Sequence, residues 1–309
     1  MLNIAQQVTR LCGAAIMALG IAATANAADL KIKHAQGETA VPASPAKVLV
    51  FDLGTLDNLD RLGVKVTGVP SGISFPEYLK KYQGDDYVKI GTLFEPDYEA
   101  VNAAEPDLII VGGRSASKYA ELSKIAPTVD LTTNAKNFIA DTEANVEKLG
   151  QIFEKEVEAK EEADTLDAAL AALKEKAASK GTGLLILTSG GKISAYGPGS
   201  RFGVLHDSFG VKPAAPDLSI GNHGQPVSSE FILETNPDWL FVIDRDAAIG
   251  REGNSAKQVL DNELVRQTNA WKKDQLVYLN AQNWYLIGGG LGALHSTIDQ
   301  LSQAFDKAK

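Results

Sequence analysis

Glu99–Arg114 reads EAVNAAEPDLIIVGGR and Glu230–Arg245 reads EFILETNPDWLFVIDR, one pattern written twice at a constant offset of 131 residues. Five of the sixteen positions are identical: the opening Glu, the Pro-Asp pair, one Val and the closing Arg. In each copy a short helix-like segment stops at Pro-Asp, and the apolar run that follows reads as a buried strand. Both arginines fall just past their strands. Open α/β sheets bind ligands beyond the carboxyl ends of the strands, so matched arginines there predict two similar lobes gripping one anion from opposite sides.

Strand and helix signals alternate on either side of the two copies, which makes the class α/β. Lys47–Phe51 is a strand, followed by Asp52-Leu53-Gly54 and a helix through Leu62. Val64–Val69 and Thr128–Leu131 are further short strands. The second half repeats the theme with strands at Leu184–Leu187, Lys192–Tyr196 and Leu276–Leu279, and it closes on an amphipathic helix, Leu291–Ala308. Phe209-Gly210-Val211-Lys212 echoes Leu62-Gly63-Val64-Lys65. Between the halves, from about Asp141 to Ser179, the chain is rich in Ala, Glu, Lys and Leu, without proline and with one glycine, Gly150. Apolar residues there keep helical spacing without a strict heptad, which predicts one unusually long helix acting as a rigid strut rather than a coiled coil. The organisation is therefore residues 28–143 as an N-terminal lobe, 144–180 as the interlobe helix and 181–309 as a C-terminal lobe.

Residues 1–27 read as an export signal. Arg10 precedes an apolar stretch, Leu11–Ala23, and Ala25-Asn26-Ala27 is a small-x-small cleavage site. The apolar stretch is short for a membrane span. The single cysteine, Cys12, lies inside it in a poor context for lipoprotein processing, so the mature chain carries no thiol. A soluble protein of a Gram-negative periplasm, large enough to stand on its hydrophobic core, fits this composition. With 30 basic against 39 acidic side chains and a net charge of −9, nucleic acid and anionic lipid are poor partners. Any bound anion needs a local cluster of positive charge.

Five side chains fall in loops next to predicted strands or helices: Arg114, Arg201, His223, Arg245 and Tyr285. A lone loop arginine is ordinarily a solvated surface residue, but three at related positions in two lobes form a pocket. Guanidinium stays charged, forks towards oxygen anions and stacks on aromatic faces, which suits a multiply charged ligand with planar rings. Imidazole and phenolate are both ligands for ferric iron, although His223 and Tyr285 also read as a surface histidine and a half-buried tyrosine. Gly288-Gly289-Gly290 lacks the Lys-Ser/Thr of a P-loop and is a weak phosphate signal. His34, His206 and His295 have no zinc-site spacing, and there is no nucleophile elbow.

The chain resembles the periplasmic siderophore-binding proteins of ABC importers, in particular the ferric enterochelin and catecholate binders of the CeuE type. The resemblance rests on Asn222–Gly250 (NHGQPVSSEFILETNPDWLFVIDRDAAIG), Leu260–Val265 (LDNELV) and Asn283–Leu291 (NWYLIGGGL), and it covers nearly the whole mature chain. It implies a class III fold, two Rossmann-like lobes on a helical backbone that close only slightly. It also implies a monomer with no intrinsic cofactor and no catalysis, carrying ferric iron as a siderophore complex to an inner-membrane ABC permease. By that resemblance Arg114, Arg201 and Arg245 neutralise and stack on the catecholate. His223 and Tyr285 complete the iron coordination that a tetradentate bis-catecholate leaves open, while a hexadentate tris-catecholate fills it. Glu99 and Glu230 match a pair of permease-docking glutamates, though at the start of a helix they also read as ordinary dipole-favoured acids. The tail after Tyr285 is richer in glycine than the family pattern, which bears on how that side chain is held. A haem or corrinoid carrier of the same fold is the alternative, with the arginine triad against a corrinoid; an exported siderophore hydrolase lacks a nucleophile.

Overall fold

A hairpin of β1 (Leu30–His34) and β2 (Gly37–Val41) opens the computed structural model, which describes residues 29–308. The export segment read over residues 1–27, Cys12 included, lies outside the described residues. Strands and helices then alternate: β3 (Val48–Val50), α1 (Leu53–Arg61), β4 (Gly68–Val69), β5 (Val88–Lys89), α2 (Tyr98–Ala103), β6 (Leu108–Val111), α3 (Tyr119–Leu122) and β7 (Thr128–Asp130). Strands β3 to β7 form one parallel sheet in the order β5-β4-β3-β6-β7. Every residue of β3 and β6 is buried, as a parallel sheet covered on both faces requires. The predicted strand Val64–Val69 shrinks to Gly68–Val69 because helix α1 claims its beginning. Gly63 turns left-handed at φ 70° and the Val64 N–H bonds back to Leu59 at 2.9 Å, a Schellman ending.

Helices α4 (Phe138–Phe153) and α5 (Glu156–Ala177) lead to the second sheet. There follow β8 (Thr182–Ser189), β9 (Lys192–Tyr196), α6 (Val204–Asp207), β10 (Lys212–Pro213), β11 (Gln225–Val227), α7 (Ser229–Thr235), β12 (Trp239–Asp244), α8 (Arg245–Ala248), α9 (Ala256–Leu260), α10 (Asn269–Lys272), β13 (Leu276–Tyr278) and α11 (Leu291–Lys307). The order is β11-β9-β8-β12-β13, with β10 also pairing β8. Here β8, β12 and β13 run parallel and β9 turns back antiparallel to β8. This is the two-lobed α/β architecture with an interlobe helix that the sequence predicts.

The repeated pattern is a repeat of structure, down to its caps. Asp97 and Ser228, equivalent by the 131-residue offset, cap α2 and α7 by accepting from the Ala100 and Phe231 N–H groups. Glu105 and Asn236, also equivalent, both turn left-handed at φ 47° and 42° just before the proline. The aspartate of each Pro-Asp then staples the head of the neighbouring strand. Asp107 accepts from the Ala46 and Lys47 N–H groups at 2.9 and 2.8 Å, and Asp238 from Thr182 at 3.0 Å. Since β5 is parallel to β6 across the sheet, and β11 to β12, each copy begins and ends on the same edge of its sheet.

The interlobe helix is bent. At Glu154 the backbone is left-handed, φ 54°, and α5 starts afresh at Glu156. In an uninterrupted helix the Ile152 carbonyl would accept from Glu156; here it accepts from the Ser44 N–H at 2.9 Å. Helix α11 runs beside α5, tied by Lys176 to Asp306 at 2.7 Å, with the His295 ring 3.7 Å from the Glu162 carboxyl group. Its start packs on α1, and its end reaches the second sheet, where Phe305 meets the Trp239 ring edge-on at 5.0 Å.

Candidate functional site

Three guanidinium groups converge on one phenol ring. Arg114 lies in the turn after β6, behind the left-handed Gly113 (φ 49°). Arg245 opens α8 directly after β12. Arg201 comes from the loop after β9, which is pinned by Ser200 Oγ donating to the Gly197 carbonyl at 2.6 Å and by Asp207 accepting from the Gly199 N–H at 2.7 Å. Their guanidinium carbons stand 5.4, 4.6 and 5.4 Å from the Tyr285 ring centre for Arg114, Arg201 and Arg245, within cation–π range. Arg245 also donates from Nε to the Tyr285 hydroxyl at 2.8 Å and from a terminal nitrogen to Ser189 Oγ at 3.2 Å.

Tyr285 sits on a single turn of π-helix, Asn283–Ile287, closed by the Gly288 N–H bonding to the Asn283 carbonyl at 2.9 Å. Such turns are rare and cluster at functional sites. The last carbonyls of a helical turn have no partner within it. Arg114 and Arg201 both take the Tyr285 carbonyl, Arg201 at 3.1 Å, and Arg114 also takes that of Leu286 at 3.3 Å. The arginines thus hold the turn as well as the ring.

The glycine-rich tail after Tyr285 answers a packing need. Gly288 is left-handed at φ 59°. A Cβ on Gly290 or Gly292 would collide with the Asp57 carboxyl group. Asp57 and Asn58 of α1 accept from the Ala293 and Leu291 N–H groups at 2.8 and 2.7 Å, so the start of α11 is capped by the first lobe. The glycine run is committed to this joint.

Electrostatics follow from the cluster. Burial alone would push the Tyr285 phenol up, but the hydrogen bond and charge of Arg245, with the charge of Arg201, outweigh it and leave the phenol below the ordinary tyrosine value. Burial, then the neighbouring Arg201, lowers Arg114, and Asp52 partly restores it. Asp52 caps α1 by accepting from the Thr55 N–H at 2.8 Å, and burial pushes its carboxyl group up. Asp246 lies 3.8 Å from Arg245 and is 5% exposed.

A cleft of about 760 Å³ opens over this cluster. Arg114, Arg201, His223 and Tyr285 all line it, with Asp52, Phe138, Phe202 and Trp284. Arg245, its side chain 31% exposed, joins the site through its hydrogen bond to Tyr285. His223 is exposed in a turn closed by the Gly224 N–H bonding to the Gly221 carbonyl at 3.2 Å. The rim is apolar on both sides: Phe94, from the first lobe, is 57% exposed and Ile220, from the second, 65%. Glu99 and Glu230 lie outside the cleft, exposed in the first turns of α2 and α7. A hydrogen bond from Ser228 lowers the Glu230 carboxyl group. Among the described residues no group of three or more His, Cys, Asp or Glu side chains could hold a metal ion.

Asp52, Ser189, Phe202 and Asp246 are site residues that sequence reasoning passes over. Asp52 carried a usable signal, an acidic residue at a strand end with Thr three positions on, which is an N-cap pattern. Phe202 joins Tyr196 at 4.8 Å and Trp284 at 6.3 Å in an aromatic wall behind the cluster.

The sequence profile described as periplasmic binding protein matches residues 48–283. The petrobactin-binding protein YclQ of Bacillus subtilis is 43% identical over 284 residues, covering 90% of this chain and 89% of the relative. Its crystal structure matches with a TM-score of 0.88, covering 90% of this chain and 99% of that one. The ferric-anguibactin-binding protein FatB of Vibrio anguillarum is 32% identical, covering 89% of this chain and 87% of the relative. The crystal structure of the periplasmic catecholate-siderophore binding protein VctP of Vibrio cholerae matches with a TM-score of 0.85 at 32% identity, covering 89% and 99%.

Proposed function

The chain belongs to the periplasmic binding protein family, and from that premise we propose that its cleft takes a ferric catecholate siderophore for delivery to an inner-membrane ABC permease. Capture of ferric siderophores for ABC-driven iron uptake is the coarser activity supported by the relatives, and it is carriage rather than catalysis. The observation that carries the catecholate reading is the convergence of Arg114, Arg201 and Arg245 on a single aromatic ring bearing an oxygen. A ferric catecholate is an anion edged by such rings, and guanidinium meets both its charge and its faces.

Imidazole nitrogen and phenolate oxygen both bind ferric iron. His223 and Tyr285 are assigned to the two positions a tetradentate bis-catecholate leaves open; a hexadentate tris-catecholate would meet only charge and stacking. Glu99 and Glu230, exposed on matched edges of the two sheets, are assigned to docking against permease arginines. An extracytoplasmic location fits the family. A cleavable segment over residues 1–27 makes it the Gram-negative periplasm in this reading, with the protein acting as a monomer.

The test is a panel of ferric siderophores of differing denticity, titrated by quenching of the fluorescence of Trp284, which lines the cleft. Ferric bis-catecholate should quench it. His223→Ala combined with Tyr285→Phe should weaken tetradentate complexes more than hexadentate ones. Equal losses for both would remove the coordination assignment, and the absence of binding by any ferric catecholate would sink the reading. Glu99→Ala with Glu230→Ala should leave siderophore affinity intact and abolish uptake.

A further inference from the structure

Arg245 bonds the hydroxyl of Tyr285, a side chain of the cleft wall. Tyr285 presents to the three guanidiniums what an aryl oxyanion ligand would present: an aromatic face within 4.6 to 5.4 Å of each, and an oxygen 2.8 Å from a donor. We propose that Tyr285 is a built-in surrogate for one aromatic arm of the ligand, which holds the arginine triad together and must be exchanged when a chelate with every coordination position filled enters. The inference rests on the catecholate reading above and makes Tyr285 a determinant of denticity.

Like charges gathered within reach of one ring repel, and an electron-rich face with a bound oxygen offsets that repulsion. Asp52 faces Arg114, Asp246 stands beside Arg245, and Tyr196 lies close enough to feel the charge of both Arg201 and Tyr285. Among the described residues no carboxylate pairs with Arg201, whose guanidinium lies instead 4.7 Å from the Phe202 ring centre and 4.6 Å from that of Tyr285.

Two consequences differ in sign. A tetradentate complex leaves iron positions open, so the Tyr285 phenol gives its proton to solvent and donates an oxygen electron pair to the metal while its arginine contacts persist. A hexadentate complex has no open position and competes with the ring for the same guanidiniums. One side chain therefore favours the first ligand class and opposes the second.

The measurement uses a ferric tris-catecholate as probe. Tyr285→Ala should bind it about 3- to 30-fold more tightly than the parent protein, the range set by one or two cation–π contacts. Weaker binding by Tyr285→Ala would make the ring a platform and refute the surrogate role alone. If neither protein binds any ferric catecholate, the catecholate reading falls and the surrogate role with it.

Discussion

Replacing Asp57 by Asn should make the protein more stable at neutral pH and leave it unchanged in acid. Asp57 is 1% exposed; its Oδ2 accepts from the Ala293 N–H at 2.8 Å and the Tyr78 hydroxyl at 3.3 Å, while Oδ1 has no partner. Burial raises its carboxyl group from 3.8 to about 6, against the smaller opposing pull of the Ala293 hydrogen bond. The folded state therefore holds this proton more tightly than the unfolded chain. Below the unfolded value both states are protonated and nothing is lost. As pH rises from about 4 to about 6 the unfolded chain ionises first, and stability falls. Above that window the loss is complete, at roughly 3 kcal/mol for a carboxyl group that ionises about two pH units later in the folded state. Asn keeps an oxygen for Ala293 and Tyr78 but cannot ionise. Urea unfolding of both proteins on either side of the window reads the prediction directly, because every other titrating group cancels in the difference. The advantage of Asp57→Asn should grow by about 3 kcal/mol from acid to neutral pH. An advantage that does not change with pH would refute the assignment of the buried charge.

Three further outcomes follow from the fold. Glu154→Gly relieves a left-handed non-glycine residue at the bend of the interlobe helix and should stabilise the protein by about 1 kcal/mol in urea unfolding; destabilisation would mean the Glu154 side chain matters there. Asp107→Ala and Asp238→Ala remove equivalent strand staples, so each should cost about 1–3 kcal/mol and lower Tm alike. Asp238 is held below the usual carboxylate range, first by the Thr182 N–H, so its share is present at neutral pH and fades as acid protonates it; an acid-insensitive Asp238→Ala effect would contradict this. Trp239→Ala empties a site packed between Phe241 and Phe305 and should cost about 3–5 kcal/mol, read by calorimetry.

Much of the fold is legible because its strands are short, apolar and punctuated. Leu108–Val111 and Lys192–Tyr196 form over the residues the pattern marks. The bend at Glu154 is not legible, since no local breaker stands there and the carbonyl it frees is satisfied by the Ser44 N–H, far away in the chain. The hairpin β1–β2 is absent from the sequence-based strands, although Leu30–His34 alternates apolar and charged residues. At the site, loop position marks the three arginines. That they would all address Tyr285 depends on a π-turn whose carbonyls are bonded by residues from both lobes. Tertiary contacts of that kind leave no periodic trace. Asp246 was hidden for a simpler reason: it follows Arg245 directly and reads as part of a solvated charge pair.

The pairing of α5 with α11 has a mechanical consequence. A bent rod would flex at its bend, but two parallel helices packed along their length and tied near one end behave as a laminated beam. Rotating one lobe against the other must then shear α11 along α5, dragging the Asp57 cap at one end and the Trp239–Phe305 contact at the other. Under the proposed docking role, that stiffness would hold Glu99 and Glu230 at one spacing, and a permease grasping both would feel the same footprint whether or not cargo is aboard. Telling a loaded carrier from an empty one would then fall to the surfaces that cargo itself rearranges, the His223 turn and the apolar rim at Phe94 and Ile220.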